Sequence, residues 1–194
     1  MTRSSATPYT RSFHSVSVPV YAHVLDREDE HEYGIGIETN TREYIMKPIA
    51  LGYDPNASTL MDAVKAELDE LGYEYVDYGS EDPIYANVAI EVAEAVAAGK
   101  HERGILMCGT GIGVSIAANK VPGAYAALVE NAYSAERAAK SNNANIITMG
   151  AQVMGDKLAR TLTRTWMESA YTPGGRSEPK VQRIYEYEKE HTPA

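Results

Sequence analysis

Cys108, the only cysteine of the chain, follows a short apolar run and precedes three alternating glycines, in Gly104-Ile-Leu-Met-Cys-Gly-Thr-Gly-Ile-Gly-Val-Ser-Ile-Ala-Ala-Asn-Lys120. Ile105, Leu106 and Met107 read as a buried strand, and residues 112–119 as the start of a helix. A strand that passes through a glycine-rich turn into a helix aims backbone N–H groups at one point, and that point favours negative charge. A thiol beside such a nest is a candidate acid/base or nucleophile. The competing reading is a small buried hydrophobe, a common use of cysteine. Oriented amides weigh against it, because an apolar core has no use for them.

The glycine spacing excludes the common nucleotide loops. Gly109-Thr-Gly-Ile-Gly113 does not match G-x-G-x-x-G, and it follows the third strand of the pattern rather than the first. No Gly-Lys-Ser/Thr follows at Walker A spacing. The five histidines (His14, His23, His31, His101 and His191) form no pair at metal-ligand spacing, so no metal site is expected. The net charge of −9 argues against a nucleic-acid partner. No stretch approaches the roughly 20 apolar residues of a membrane span. A single cysteine makes no internal disulfide, and the expected compartment is a reducing cytoplasm.

The elements that position Cys108 alternate. Residues 49–53 form a short buried strand, and Leu60, Met61, Val64, Leu68 and Leu71 recur at helical spacing with Ser58 or Thr59 as cap and Gly72 as stop. Residues 73–78 are strand-like and 85–98 helical. The Cys108 segment supplies the third strand and helix. A fourth strand over 125–129 precedes a helix over 134–141. A fifth over 146–149 leads into a long helix through Val153, Leu158, Leu162 and Trp166. This alternation implies a Rossmann-like three-layer α/β/α sandwich with a five-stranded parallel sheet. Ligands of such folds sit outside the carboxyl ends of the strands, and Asp54, Cys108 and Asn145 are all at or near strand ends. Residues 46–194 are read as the domain, ending in a helical tail. Residues 1–45 are read as a mobile extension or a start assigned too early. Within them 16–24 could pair as a strand, with Pro19 confining it to an edge.

Several segments in order resemble the family of ribose-5-phosphate isomerase B and galactose-6-phosphate isomerase. They are the Cys108–Lys120 run, Gly52-Tyr-Asp54, Tyr85-Ala86, Tyr133-Ser-Ala135, Ser141-Asn-Asn-Ala-Asn145 with Gly150, and Gly174-Gly-Arg176. The resemblance covers about residues 46–184. It implies aldose–ketose isomerisation of a phosphorylated sugar through a cis-enediolate, without metal or organic cofactor. Such chemistry needs a carbon base, donors for the enediolate oxygens and cations for the phosphate. By position Cys108 resembles the base, and Thr110 the hydroxyl that assists proton movement between O1 and O2. Gly109, Gly111 and Gly113, with Ser115, resemble the oxyanion cradle. Asp54 and Tyr85 match substrate contacts, Asn142 an asparagine contributed by the neighbouring subunit, and Arg176 and Lys180 the phosphate cations. The resemblance also implies dimers, some pairing into tetramers. Each residue has a plainer alternative: Asp54 as a helix cap, Tyr85 as a core-edge aromatic, Asn142 as a turn residue, Arg176 and Lys180 as solvated charges.

The departures from that family are informative. Ribose-5-phosphate isomerases of this kind carry histidine after the first-strand aspartate and before the asparagine pair, the second opening the furanose ring. This chain has Pro55 and Ser141 there. Neither shuttles a proton near neutral pH as imidazole does. Gln152 stands where an arginine is common, and Lys180 replaces a tail arginine and its bidentate fork. A tetrose phosphorylated at O4 has no furanose to open. The erythrulose-4-phosphate isomerase branch shares that missing histidine, and it is also similar in Ile84-Tyr-Ala-Asn87, Lys120-Val-Pro-Gly123 and Ser134-Ala-Glu-Arg-Ala-Ala139. The expected substrate pair is therefore D-erythrulose 4-phosphate and D-erythrose 4-phosphate. The alternatives are ribose/ribulose 5-phosphate, or a sugar-phosphate-binding subunit without catalysis, which retention of Cys108 and Thr110 disfavours.

Overall fold

Apolar strands with no alternating polar face must be covered on both sides, and that rule organises the molecule. The computed structural model describes residues 46–79 and 81–192. The readings made for residues 1–45 lie outside them. The chain runs β1 (Ile49–Tyr53), a 3-10 turn (Pro55–Ala57), α1 (Ser58–Leu71), β2 (Tyr75–Asp77) and α2 (Tyr85–Ala97). It continues through β3 (Gly104–Cys108), α3 (Ile112–Ala118), β4 (Ala126–Leu128) and α4 (Ala132–Asn142). Then follow β5 (Ile146–Gly150), α5 (Asp156–Met167) and α6 (Glu178–His191).

The five strands form one parallel sheet in the order β2-β1-β3-β5-β4, with Leu51 opposite Ile105 and Ile105 opposite Ile147. Side chains alternate across it. Ile49, Leu51, Ile105, Met107, Ile147 and Met149 face α1, α4 and α5, while Ala50, Leu106, Cys108 and Ile146 face α2 and α3. The two clusters flank the sheet, giving the expected α/β/α sandwich. Chain progression reverses between β1 and β3, the place where such sheets open a crevice at their carboxyl ends. Asp54 follows β1 and Cys108 ends β3, so both stand at that crevice.

Local chemistry moves several expected boundaries. Neither Ser58 nor Thr59 caps α1. Asp54 instead accepts the Asn56 N–H at 3.0 Å and caps the 3-10 turn, whose first position suits Pro55. Gly72 does end α1, at φ 78°, as expected. Asn131 accepts the Ser134 N–H at 2.9 Å, which starts α4 at Ala132 rather than at residue 134. The turn after β5 delays α5 until Asp156. Val153 is therefore 57% exposed and Leu158 37%, while Leu162 and Trp166 are the residues that enter the core. β2 and β4, the two edge strands, are shorter than the sequence suggests at three residues each.

Candidate active site

The loop after β3 folds back on its own thiol. Cys108 is 4% exposed, and its Sγ accepts the Gly111 N–H at 3.2 Å. An N–H aimed at sulfur stabilises charge placed there. That contact depends on Gly111 holding φ 77°, where a Cβ would stand 2.7 Å from the Leu128 side chain and 2.8 Å from the Met149 carbonyl carbon. Only glycine suits both the dihedral and the space. The loop is also pinned to the segment after β5. Ala151 donates to the Cys108 carbonyl at 2.9 Å and Gln152 to the Gly109 carbonyl at 2.8 Å.

The expected residues fall into two groups. Around the thiol lie Gly109, Thr110, Gly111, Gly113, Tyr85 and Asp54. Thr110 is exposed, and its Oγ1 accepts the Ile112 N–H at 3.4 Å. The Tyr85 ring lies against Gly113, where a Cβ would come within 2.5 Å of it. Asp54 is 3% exposed and donates its N–H to the Met107 carbonyl at 3.3 Å, one residue from Cys108 on the neighbouring strand. Its capping of the 3-10 turn engages Oδ1, so the plainer reading of Asp54 is realised beside its place at the crevice. Ser115 is set apart: its hydroxyl donates to the Ala126 carbonyl of β4 at 3.4 Å.

The second group lines a cavity of about 220 Å³ between the end of α4 and the start of α6. Asn142, Arg176 and Lys180 meet there, with Ser141, Tyr133 and Arg137, and no carboxylate lines it. None of the thiol loop reaches it. The sequence reading missed Arg137 and the side chain of Tyr133. The available signal was their spacing, since residues 133, 137 and 141 recur every four positions and share one face of α4. α6 is held against the body by Glu188, which accepts the Tyr125 hydroxyl at 2.7 Å and the Gly123 N–H at 3.1 Å, and by Tyr185, which accepts from Asn143 at 2.9 Å. These contacts hold α6, which carries Lys180, against the end of α4, where Asn143 is the C-cap.

A thiol at the carboxyl edge of a parallel sheet, a glycine nest around it and a separate cation-lined cavity give this α/β fold a candidate base and a candidate anion site. The profile of the Ribose/Galactose Isomerase family matches residues 49–184, and the chain belongs to that family. It is similar to the D-erythrulose-4-phosphate isomerase of Pectobacterium atrosepticum, at 45% identity over 152 residues covering 75% of this chain and 99% of the relative. It is also similar to the ribose-5-P isomerase B of Listeria innocua, at 44% over 146 residues covering 74% and 98%. Among solved structures, the ribose-5-phosphate isomerase B of Clostridium thermocellum superposes with a TM-score of 0.70 at 39% identity, covering 75% of this chain and 99% of that one.

Proposed function

We propose that this isomerase interconverts D-erythrulose 4-phosphate and D-erythrose 4-phosphate. In this reading the Cys108 thiolate takes the C1 proton of the ketose, leaving a cis-enediolate, and the proton returns at C2 to give the aldose. Thr110 assists the movement of the hydroxyl proton between O2 and O1. The amides of Gly109 and Gly113 supply donors where the oxyanion develops, while the Gly111 amide serves the sulfur. Asp54 and Tyr85 hold the substrate hydroxyls. Arg176 and Lys180 hold the phosphate, and Asn142 acts with them.

The observation that carries the choice of substrate is that no imidazole of the described residues reaches the site. Among the described residues the histidines are His101 and His191. His101 precedes β3, at the opposite end of the sheet from Cys108, and is locked between the Pro48 carbonyl at 2.6 Å and the Tyr78 hydroxyl at 2.9 Å. His191 ends α6, far along the helix from the cavity at its start. Pro55 and Ser141 occupy the places of the family's two histidines, so no imidazole of the described residues stands where a furanose ring would be opened. A tetrose 4-phosphate needs none, since the hydroxyl that would close a furanose is esterified. Ribose 5-phosphate is the second reading, favoured by the nearly equal similarity to the Listeria ribose-5-P isomerase B.

Turnover of D-erythrulose 4-phosphate by the purified full-length chain tests the proposal. The expected result is conversion without added metal or organic cofactor. Absence of turnover on any tetrose, pentose or hexose phosphate would contradict it and favour a binding subunit.

A further inference from the structure

Resting on that reading, we propose that Arg137 is a third cation of the phosphate site, compensating for the arginine that Gln152 replaces. Three observations converge. First, Arg137 lines the same cavity as Arg176 and Lys180, so three positive charges face one space with no lining carboxylate. Such a space selects a dianion. Second, the guanidinium is not used up. Its Nη2 pairs with Glu136 at 3.0 Å, but that same Glu136 oxygen is bound by Lys140 at 2.6 Å. Its Nη1 reaches Ser141 Oγ only at a long 3.4 Å, and its Nε is buried without a hydrogen-bond partner among the described residues. A buried donor left unpaired is costly, so the protein's own groups leave the guanidinium unsaturated and available to reorient toward a ligand oxygen.

Third, the group is positioned in advance. The Tyr133 ring lies 5.7 Å from the Arg137 guanidinium, one helical turn earlier on α4, and Ser141 stands one turn later. Arginine adds what Lys180 lacks, a planar fork suited to two phosphate oxygens. Gln152 stays near the thiol loop, its amide 3.2–3.4 Å from where a Gly109 Cβ would be, and it carries no charge for phosphate.

Calorimetric titration of the full chain with inorganic phosphate tests this without relying on turnover. Wild type should bind, and Arg137→Gln should weaken the Kd by roughly tenfold or more, with Arg137→Lys between them. In parallel, KM for the sugar phosphate should rise while kcat changes little, because the phosphate is remote from the reacting carbons. A merely structural role would move the thermal midpoint of both variants and leave the phosphate Kd alone. A folded Arg137→Gln protein with unchanged phosphate affinity would overturn the proposal. So would a wild type that turns over sugar phosphates yet binds no inorganic phosphate, with the isomerase reading left standing. Phosphate binding that depends on Arg137 in a protein without turnover would support the cation site and sink only the isomerase reading.

Discussion

At the residue scale the proposal rests on one sulfur and the backbone around it. The local signal was strong because it is written in neighbouring positions. A cysteine, then glycines at 109, 111 and 113, specifies a turn whose amides can reach the thiol, and Gly111 does so at 3.2 Å. Gly113 was legible only as part of a nest. Its further use, leaving room for the Tyr85 ring, required knowing that α2 packs beside the loop. Ser115 looked like part of the nest by proximity in sequence, but one turn of helix carries its hydroxyl to β4. Replacing Cys108 with serine preserves volume and loses the thiolate. The expected result is a folded protein whose kcat falls by roughly 10²- to 10⁴-fold, the contribution of a positioned base. Steady-state kinetics beside a thermal melt would check this, and near-normal kcat would remove Cys108 from the base role.

At the scale of elements, period and punctuation revealed the strands and most helices. β1, β3 and β5 are apolar runs buried on both faces, and Gly72 ends α1 as its position promised. The start of α5 was harder, since Val153 continues an apolar pattern while belonging to a turn. The junction of α1 and α5 was not legible, because its charges lie 90 or more positions apart. Glu67, 2% exposed, receives Arg160 Nε at 2.7 Å and Arg164 Nε at 2.6 Å, and Glu70 receives Arg160 Nη2 at 2.5 Å. The hydrogen bond and charge of Arg160 hold the Glu70 carboxyl below its ordinary value of 4.5. A depressed folded-state value means stabilisation that is present above 4.5 and lost as pH falls below it. Glu70→Gln should therefore be less stable than wild type at pH 7, with the gap closing under acid. Because Glu70 is exposed the gap should be small. Urea denaturation of both proteins at pH 7 and pH 4 would show it, and a gap that widens on acidification would contradict the assignment.

At the scale of the whole molecule, the separation of the thiol group from the cation cavity is the decisive feature. Family resemblance named Asn142, Arg176 and Lys180 but could not say that they share one cavity, which is created by α6 lying against α4. Arg137 was invisible for the same reason, since its relevance comes from tertiary packing rather than from a motif. No helix among the described residues is long and apolar enough to cross a membrane. Ile112, Ile116, Tyr133 and Val153 leave apolar surface exposed around the two groups. We propose that a symmetric dimer joins the Cys108 group of one protomer to the cation cavity of its partner. Mixing inactive Cys108→Ser and Asn142→Ala chains should then restore activity, to about a quarter of wild type, since half the dimers are mixed and each holds one intact site. Activity that stays at zero after subunit exchange would place both groups in a single chain.

In the proposed reading, this site handles a sugar phosphate that arrives already open. The most direct measurement is kcat/KM for D-erythrulose 4-phosphate and for ribose 5-phosphate on one preparation of the full-length chain. With Pro55 and Ser141 in place of imidazoles, the tetrose phosphate should be the better substrate by at least about tenfold, a difference of roughly 1.4 kcal/mol in transition-state stabilisation. Faster turnover of ribose 5-phosphate would contradict this reading, because another group would then have to do the work of the missing imidazole.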